Sequence, residues 1–141
     1  MTYFPDVNVW IAMYSPGHVH HSTAVDWFDA SAERDVAFCR VTQMGFLRLL
    51  TNSRVMGENI MTSAKAWAAY DKLLLVPRIF FLKEPPGLEE TWRDRMRPGL
   101  GSNAWTDAYL SAFAIQAGVT LVTFDAQLAN RNGVHAQLLT V

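Results

Sequence analysis

The feature that most restricts the fold is an alternation. Five short runs rich in apolar and β-branched residues recur along the chain: residues 2–6, VAFCRV (36–41), RIFFL (78–82), VTLVTF (119–124) and the closing HAQLLTV. Between them lie stretches whose apolar residues recur with helical spacing. Val7 to Tyr14 begins a helix that SPGHVHHS (15–22) breaks, and Thr23 with Asp26 forms a capping-box-like pair ahead of the stripe Ala24, Trp27 and Phe28. TQMGFLRLLTNS (42–53) reads as a helix ended by Asn52-Ser53. A cap at Thr62 or Ser63 starts another, with Trp67, Tyr70 and Leu74 on one side. EPPGLEETWRDRM turns helical after its prolines, WTDAYLSAFAIQAG (105–118) closes on Gly118, and Asp125 begins a short helix. Strands alternating with helices predict an α/β domain on a mainly parallel sheet.

At 141 residues, one domain spanning 1–141 is expected, large enough to bury a real core. Half of the residues are hydrophobic and 18% are charged, a globular and not a disordered composition. No apolar stretch approaches the ~20 residues that span a bilayer, and MTYFPDV lacks the basic start of a secretory signal, so a cytoplasmic protein is expected. Cys39, the only cysteine, excludes an internal disulfide and in VAFCRV reads as a small buried hydrophobe. The net charge of −1 argues against wholesale coating of nucleic acid. Nine of the twelve basic residues are arginine, however, and WRDRMRPG gathers Arg93, Arg95 and Arg97. That cluster reads either as a phosphate-contacting patch or as a solvated helix face partnered by Asp94 and Glu90.

Asp6 interrupts the apolar run YFPDVNVWIAMY, where an unpaired buried carboxylate would be costly. Asp6 ends the first strand, Asp125 ends VTLVTF, and Asp107 lies in the first turn of the helix just before that strand. In open α/β sheets ligands bind at the carboxyl ends of the strands, and a right-handed crossover brings Asp107 toward that edge. Singly, each aspartate suits a helix cap or a helix dipole. Together they would repel: two carboxylates ~4 Å apart at an effective dielectric of ~20 oppose one another by about 4 kcal/mol. A hard divalent cation such as Mg2+ neutralises such a cluster and lowers the pKa of an attacking water. Asn8, Thr106 and Thr123 are candidates to support the ligands from behind, or are ordinary cap and strand residues.

DVNVW, RVTQMGFLRLLTN, WTDAYLSAFA and LVTFD, in that order and at these spacings, closely resemble the PIN-domain family. The chain looks most like the VapC toxins of bacterial VapBC type II toxin–antitoxin modules, over essentially its whole length. The resemblance implies a PIN-like α/β/α sandwich with a central sheet of four or five strands. It also implies an endoribonuclease dependent on Mg2+ or Mn2+, leaving 5′-phosphate and 3′-hydroxyl ends. By the same resemblance, Asp6, Asp107 and Asp125 are the metal-holding catalytic acids, a VapB-type antitoxin blocks the cleft, the chain forms a homodimer, and structured RNA such as tRNA is the substrate. One position departs. Many members carry a glutamate in a segment like LAEFVRVL, and matched against QMGFLRLL it falls on Gly45. Either that acid is dispensable, or Gln43 or a water substitutes for it, or the activity is weakened.

Other chemistry is poorly supported. HVHH (18–21) lacks the ligand spacing of a zinc site and reads as a solvated loop or an RNA contact. There is no GxxxxGK[ST] phosphate loop and no GxSxG elbow. A haloacid-dehalogenase-type phosphatase would need a second acid where Asn8 stands. A PIN module that binds RNA or a partner without cutting is the remaining alternative, motivated by Gly45.

Overall fold

The computed structural model describes residues 1–96 and 101–140. The elements run β1 (Thr2–Pro5), α1 (Val7–Tyr14), α2 (His21–Ala30), β2 (Asp35–Phe38), α3 (Arg40–Leu50), α4 (Ser53–Met56), a 3-10 turn (Gly57–Asn59) and α5 (Ser63–Leu73). They continue with β3 (Ile79–Phe81), α6 (Leu88–Arg95), α7 (Ala104–Ala117), β4 (Thr120–Thr123), α8 (Ala126–Ala129) and β5 (Ala136–Leu138). The five strands form one sheet in the order β3-β2-β1-β4-β5, with every pairing parallel. The expected α/β architecture is therefore present, and the sheet is parallel throughout.

The chain builds outward from β1 in one direction through β2 and β3, then returns to add β4 and β5 on the other side. The reversal falls between β1 and β4, where Pro5 is in register with Val122. Open parallel sheets bind ligands at the carboxyl ends of strands flanking such a reversal. Asp6 and Asp125 follow those two strands.

Successive strand residues point to opposite faces, and each face carries its own core. Val36, Phe38 and Val122 pack with Trp10, Phe46, Leu50 and Tyr70 beneath α1, α2, α3 and α5. Phe4 and Leu121 pack with Leu88, Leu110, Phe113 and Leu128 beneath α6, α7 and α8. The first core is centred on Trp10, whose ring stacks on Phe38 at 3.7 Å between centroids and 10° between planes. Phe4 stacks on Phe113 in the second, at 4.7 Å and 13°. Helix α7 is buried continuously from Ala108 to Ala114, because the sheet covers one side and α6 another. It ends at Gly118, whose φ of 66° and ψ of 37° place it in the left-handed region that glycine adopts without strain. Val119 then enters β4 directly.

Two local expectations are corrected. Helix α2 begins at His21, two residues before Thr23, and His20 at its N-cap makes no side-chain capping bond. The Thr23–Asp26 pair is therefore inside the helix. The second strand stops at Phe38, and Cys39 caps α3 from Arg40 onward; its N–H donates to Thr42 Oγ1 at 2.9 Å. Segment 53–61, with no clear periodicity, forms α4 and the 3-10 turn behind an Asn52 cap that accepts the Arg54 N–H at 2.9 Å. Cys39 is fully buried, and burial pushes its thiol up, in keeping with a packing role. Arg93 pairs with Glu89 at 3.1 Å, not with Glu90 or Asp94, and both partners are largely exposed. Arg97 lies outside the described residues. No described helix is long and apolar enough to cross a membrane.

Phe38 touches Trp10, Phe46 and Tyr70 and is fully buried. Phe38→Ala should cost about 3–5 kcal/mol of unfolding free energy, read as a fall in the urea midpoint.

Candidate active site

Asp6 is 6% exposed, yet its carboxylate has partners on both oxygens. Strand β1 ends at Pro5, and Asp6 caps α1 with Oδ1 accepting the Val9 N–H at 3.1 Å. Oδ2 accepts the Thr123 hydroxyl at 2.5 Å. Thr123 itself is fully buried, and its oxygen accepts the Asp125 N–H at 2.9 Å. One threonine thus joins the ends of β1 and β4 and the two acids that follow them. Asp125 caps α8, with Oδ1 accepting the N–H groups of Gln127 (2.9 Å) and Leu128 (3.4 Å). The capping reading therefore holds for Asp6 and Asp125, and each cap fixes its carboxylate at a strand end.

Burial pushes the Asp6 carboxyl above its ordinary value; the Thr123 and backbone hydrogen bonds oppose this, and the Asp125 charge adds to it. Asp107, half-buried in the first turn of α7, is also raised, first by desolvation, then by Asp125, against the lowering influence of Arg131. Asp125 is the shared neighbour, since its charge reaches both other acids. The hydrogen bonds through Thr123 tie Asp6 and Asp125 together, and the Asp125 charge also acts on Asp107. In this conformation the three acids are not closed into a ligand set: among the described residues no group of three His, Cys, Asp or Glu is placed to hold an ion. The donor chemistry is nevertheless oxygen-only and anionic, which suits a hard divalent cation.

The other expected residues separate into distinct environments. Thr123 bonds Asp6 directly. Asn8 and Thr106 are exposed and line a groove of about 510 Å3 that also includes Gly45, Arg48, Trp92, Trp105 and Tyr109. Gln43 is buried and accepts Arg40 Nη1 at 2.6 Å, on the side of α3 toward Tyr70. Gly45 has a packing reason. A Cβ there would stand 2.5 Å from Val7 Cγ2, so the start of α1 occupies the space a side chain would need.

In HVHH, His18 Nδ1 accepts the His20 N–H at 3.0 Å, His21 Nδ1 lies 2.7 Å from the Ala12 carbonyl, and His20 stacks on Phe124 at 4.7 Å. The sequence reading missed Arg131 and the groove. Arg131 is an isolated base beyond a four-residue helix, with no periodicity to mark it. The groove is lined by residues from distant segments, although Trp105 beside Thr106-Asp107 was its visible trace.

A PIN-domain family model matches residues 3–134, and this chain belongs to the PIN-domain family. Its relatives include Ribonuclease VapC41 of Mycobacterium tuberculosis, 41% identical over 140 residues that cover 95% of this chain and 96% of the relative. Ribonuclease VapC38 of the same organism is 36% identical over 121 residues, covering 86% and 83%. Among solved structures, Rickettsia felis VapBC2 bound to a promoter DNA fragment superposes with a TM-score of 0.71 at 11% identity, covering 99% of this chain and 100% of that one. M. tuberculosis VapC20, a Sarcin-Ricin loop cleaving toxin, gives 0.67 at 22% identity over 94% and 98%. The two structures share the fold.

Two outcomes follow from this geometry. Gly45→Ala gains roughly 1 kcal/mol of helix propensity but overpacks against Val7 at about 1–3 kcal/mol. The net is a loss of up to about 2 kcal/mol in urea denaturation, relieved when Val7→Ala is added. Asp6 has a raised folded pKa, so its ionisation opposes folding: stability falls as pH rises from the ordinary carboxylate range through that raised value. Asp6→Asn, which keeps an acceptor for Val9, should raise the metal-free melting temperature at pH 7, and the gain should shrink as pH falls from that raised value to the ordinary carboxylate range.

Proposed function

We propose that this protein is a metal-dependent endoribonuclease, the toxin of a type II toxin–antitoxin module. The observation that carries this reading is the placement of Asp6 and Asp125 at the ends of neighbouring strands where the sheet reverses, joined by Thr123. Membership of the PIN-domain family and relatives that carry the name Ribonuclease VapC support it.

Asp6, Asp107 and Asp125 would hold Mg2+, or Mn2+, which when bound activates water and offsets the charge of a phosphodiester. The protein's part is positional. Val9 N–H and Thr123 hold the Asp6 carboxylate in one orientation, and Gln127 and Leu128 N–H hold that of Asp125, so the acids need little reorganisation. Burial of Asp6 keeps bulk water from screening its charge. The substrate is cellular RNA, structured RNA such as tRNA being the family's suggestion, cleaved to 5′-phosphate and 3′-hydroxyl ends in the cytoplasm. A VapB-type antitoxin is the partner, supported by fold neighbours solved as VapBC assemblies, and the chain acts as a homodimer.

Gly45 supports a second reading, a PIN module that binds RNA or a partner without cutting. The two separate experimentally. Induced expression of the wild type should arrest growth and cleave RNA; chelation should abolish cleavage of purified RNA, and Mg2+ or Mn2+ should restore it. Asp6→Asn should lower the cleavage rate by at least about a hundredfold and relieve the arrest. Full toxicity of Asp6→Asn would sink the site assignment, whereas RNA binding by the wild type with no cleavage at any metal concentration would favour the second reading.

A further inference from the structure

The groove beside the acids is built unlike an ordinary packing defect. Its walls come from α1, α3, α6 and α7, and its volume of about 510 Å3 falls within the range of small-ligand pockets. Asn8 and Thr106, which stand two residues after Asp6 and one before Asp107, are in its lining. Arg48 is in it as well, and no Asp or Glu contributes.

Trp105 is the unusual member. It is 58% exposed, although indole is normally sequestered, and it stands edge-to-face against Trp92 at 6.2 Å and 80°. Trp92 is steadied by Tyr109 at 5.3 Å and 87°, and its Nε1–H donates to the Trp105 carbonyl at 3.0 Å. Tyr109 is anchored through its hydroxyl to Glu84 at 2.8 Å. A half-open aromatic side chain thus packs edge-to-face on an anchored neighbour, two residues before Asp107.

From this juxtaposition we infer that the groove binds an unpaired nucleotide adjoining the scissile phosphate, with its base stacked on Trp105. Stacking on an aromatic side chain is the main way single-stranded RNA is held, and it tolerates any base. Asn8 and Thr106 offer hydrogen bonds to a base or ribose, and Arg48 offers a guanidinium for the next phosphate. A duplex cannot present a base in this way, so the groove selects unpaired RNA. The absence of a side chain at Gly45 matters here as well, since a carboxylate on that wall would repel the backbone. The inference rests on the ribonuclease reading and adds to it where the substrate lies.

The test uses the full chain carrying Asp6→Asn, which removes cleavage, and a short labelled single-stranded oligoribonucleotide of mixed sequence as probe. Trp105→Ala should weaken binding roughly tenfold, whereas Trp105→Phe should stay within about threefold. Trp67→Ala, an exposed tryptophan on α5 outside the groove, should change nothing. A duplex of the same sequence should bind more weakly than the single strand and be indifferent to Trp105→Ala. In the chain with Asp6 intact, Trp105→Ala should raise KM by a similar factor with kcat little changed. The fold should survive, because the bond from Trp92 goes to the backbone carbonyl of residue 105. Unchanged single-strand affinity in Trp105→Ala, or equal losses in Trp67→Ala, would overturn the inference and leave the groove to a protein partner. Those results would leave the nuclease reading standing if the wild type still cleaves, whereas a wild type that neither binds nor cleaves RNA would end both.

Discussion

Everything in this molecule turns on keeping a carboxylate in the interior. Asp6 sits among residues that exclude water, and it remains tolerable because the Val9 N–H, the Thr123 hydroxyl and the end of β1 all converge on it. Those same contacts lock β1 to β4 at the point where the sheet changes direction. The bond from Thr123 to Asp6 and the bond from Asp125 N–H to Thr123 make a single unit of two strand ends and two acids. The cost of holding like charges close together is the condition for any ion-dependent chemistry there, and the unusually elaborate hydrogen bonding around Asp6 is how the fold bears it.

Much of this was legible before any coordinates. The alternation of short β-branched runs with helical stretches led to the parallel sheet because both signals have simple periods, and α1, α7 and the Gly118 stop were readable for the same reason. The position of Asp6 in an apolar run pointed to the site, because a carboxylate there is expensive. What was hidden depends on contacts between distant segments. Thr23 and Asp26 had the local spacing of a cap, but the chain enters α2 earlier, where His21 Nδ1 meets the Ala12 carbonyl of the preceding helix. The end of β2 was misplaced because Cys39, Arg40 and Val41 look equally suited to a strand, and the Thr42 return to the Cys39 N–H decides the matter locally. Whether Asp107 faces Asp125 is a question of tertiary geometry that spacing alone leaves open. Arg131 could not be seen at all.

Gly45 shows why resemblance and packing must be weighed together. Judged by the resemblance, it stands where a glutamate was expected. Judged by contact, it is the residue that lets α1 approach α3 closely, with Val7 in the space of the missing side chain. Restoring a glutamate would therefore require moving the first turn of α1, which also carries Asn8 and begins at the Asp6 cap. A side chain placed at residue 45 would therefore disturb residue 6 as well.

The order of the strands has a consequence for synthesis. Of the five strands β1 is made before the others, but its neighbour β4 comes far later: 117 residues separate Asp6 from its Thr123 partner. Chains are made from the N-terminus, and a contact so distant in sequence forms late in folding. A growing polypeptide therefore carries Asp6 without the strand that orients it until β4 has been made. The contact that joins the two strand ends and their acids is thus among the last that the order of synthesis allows to form.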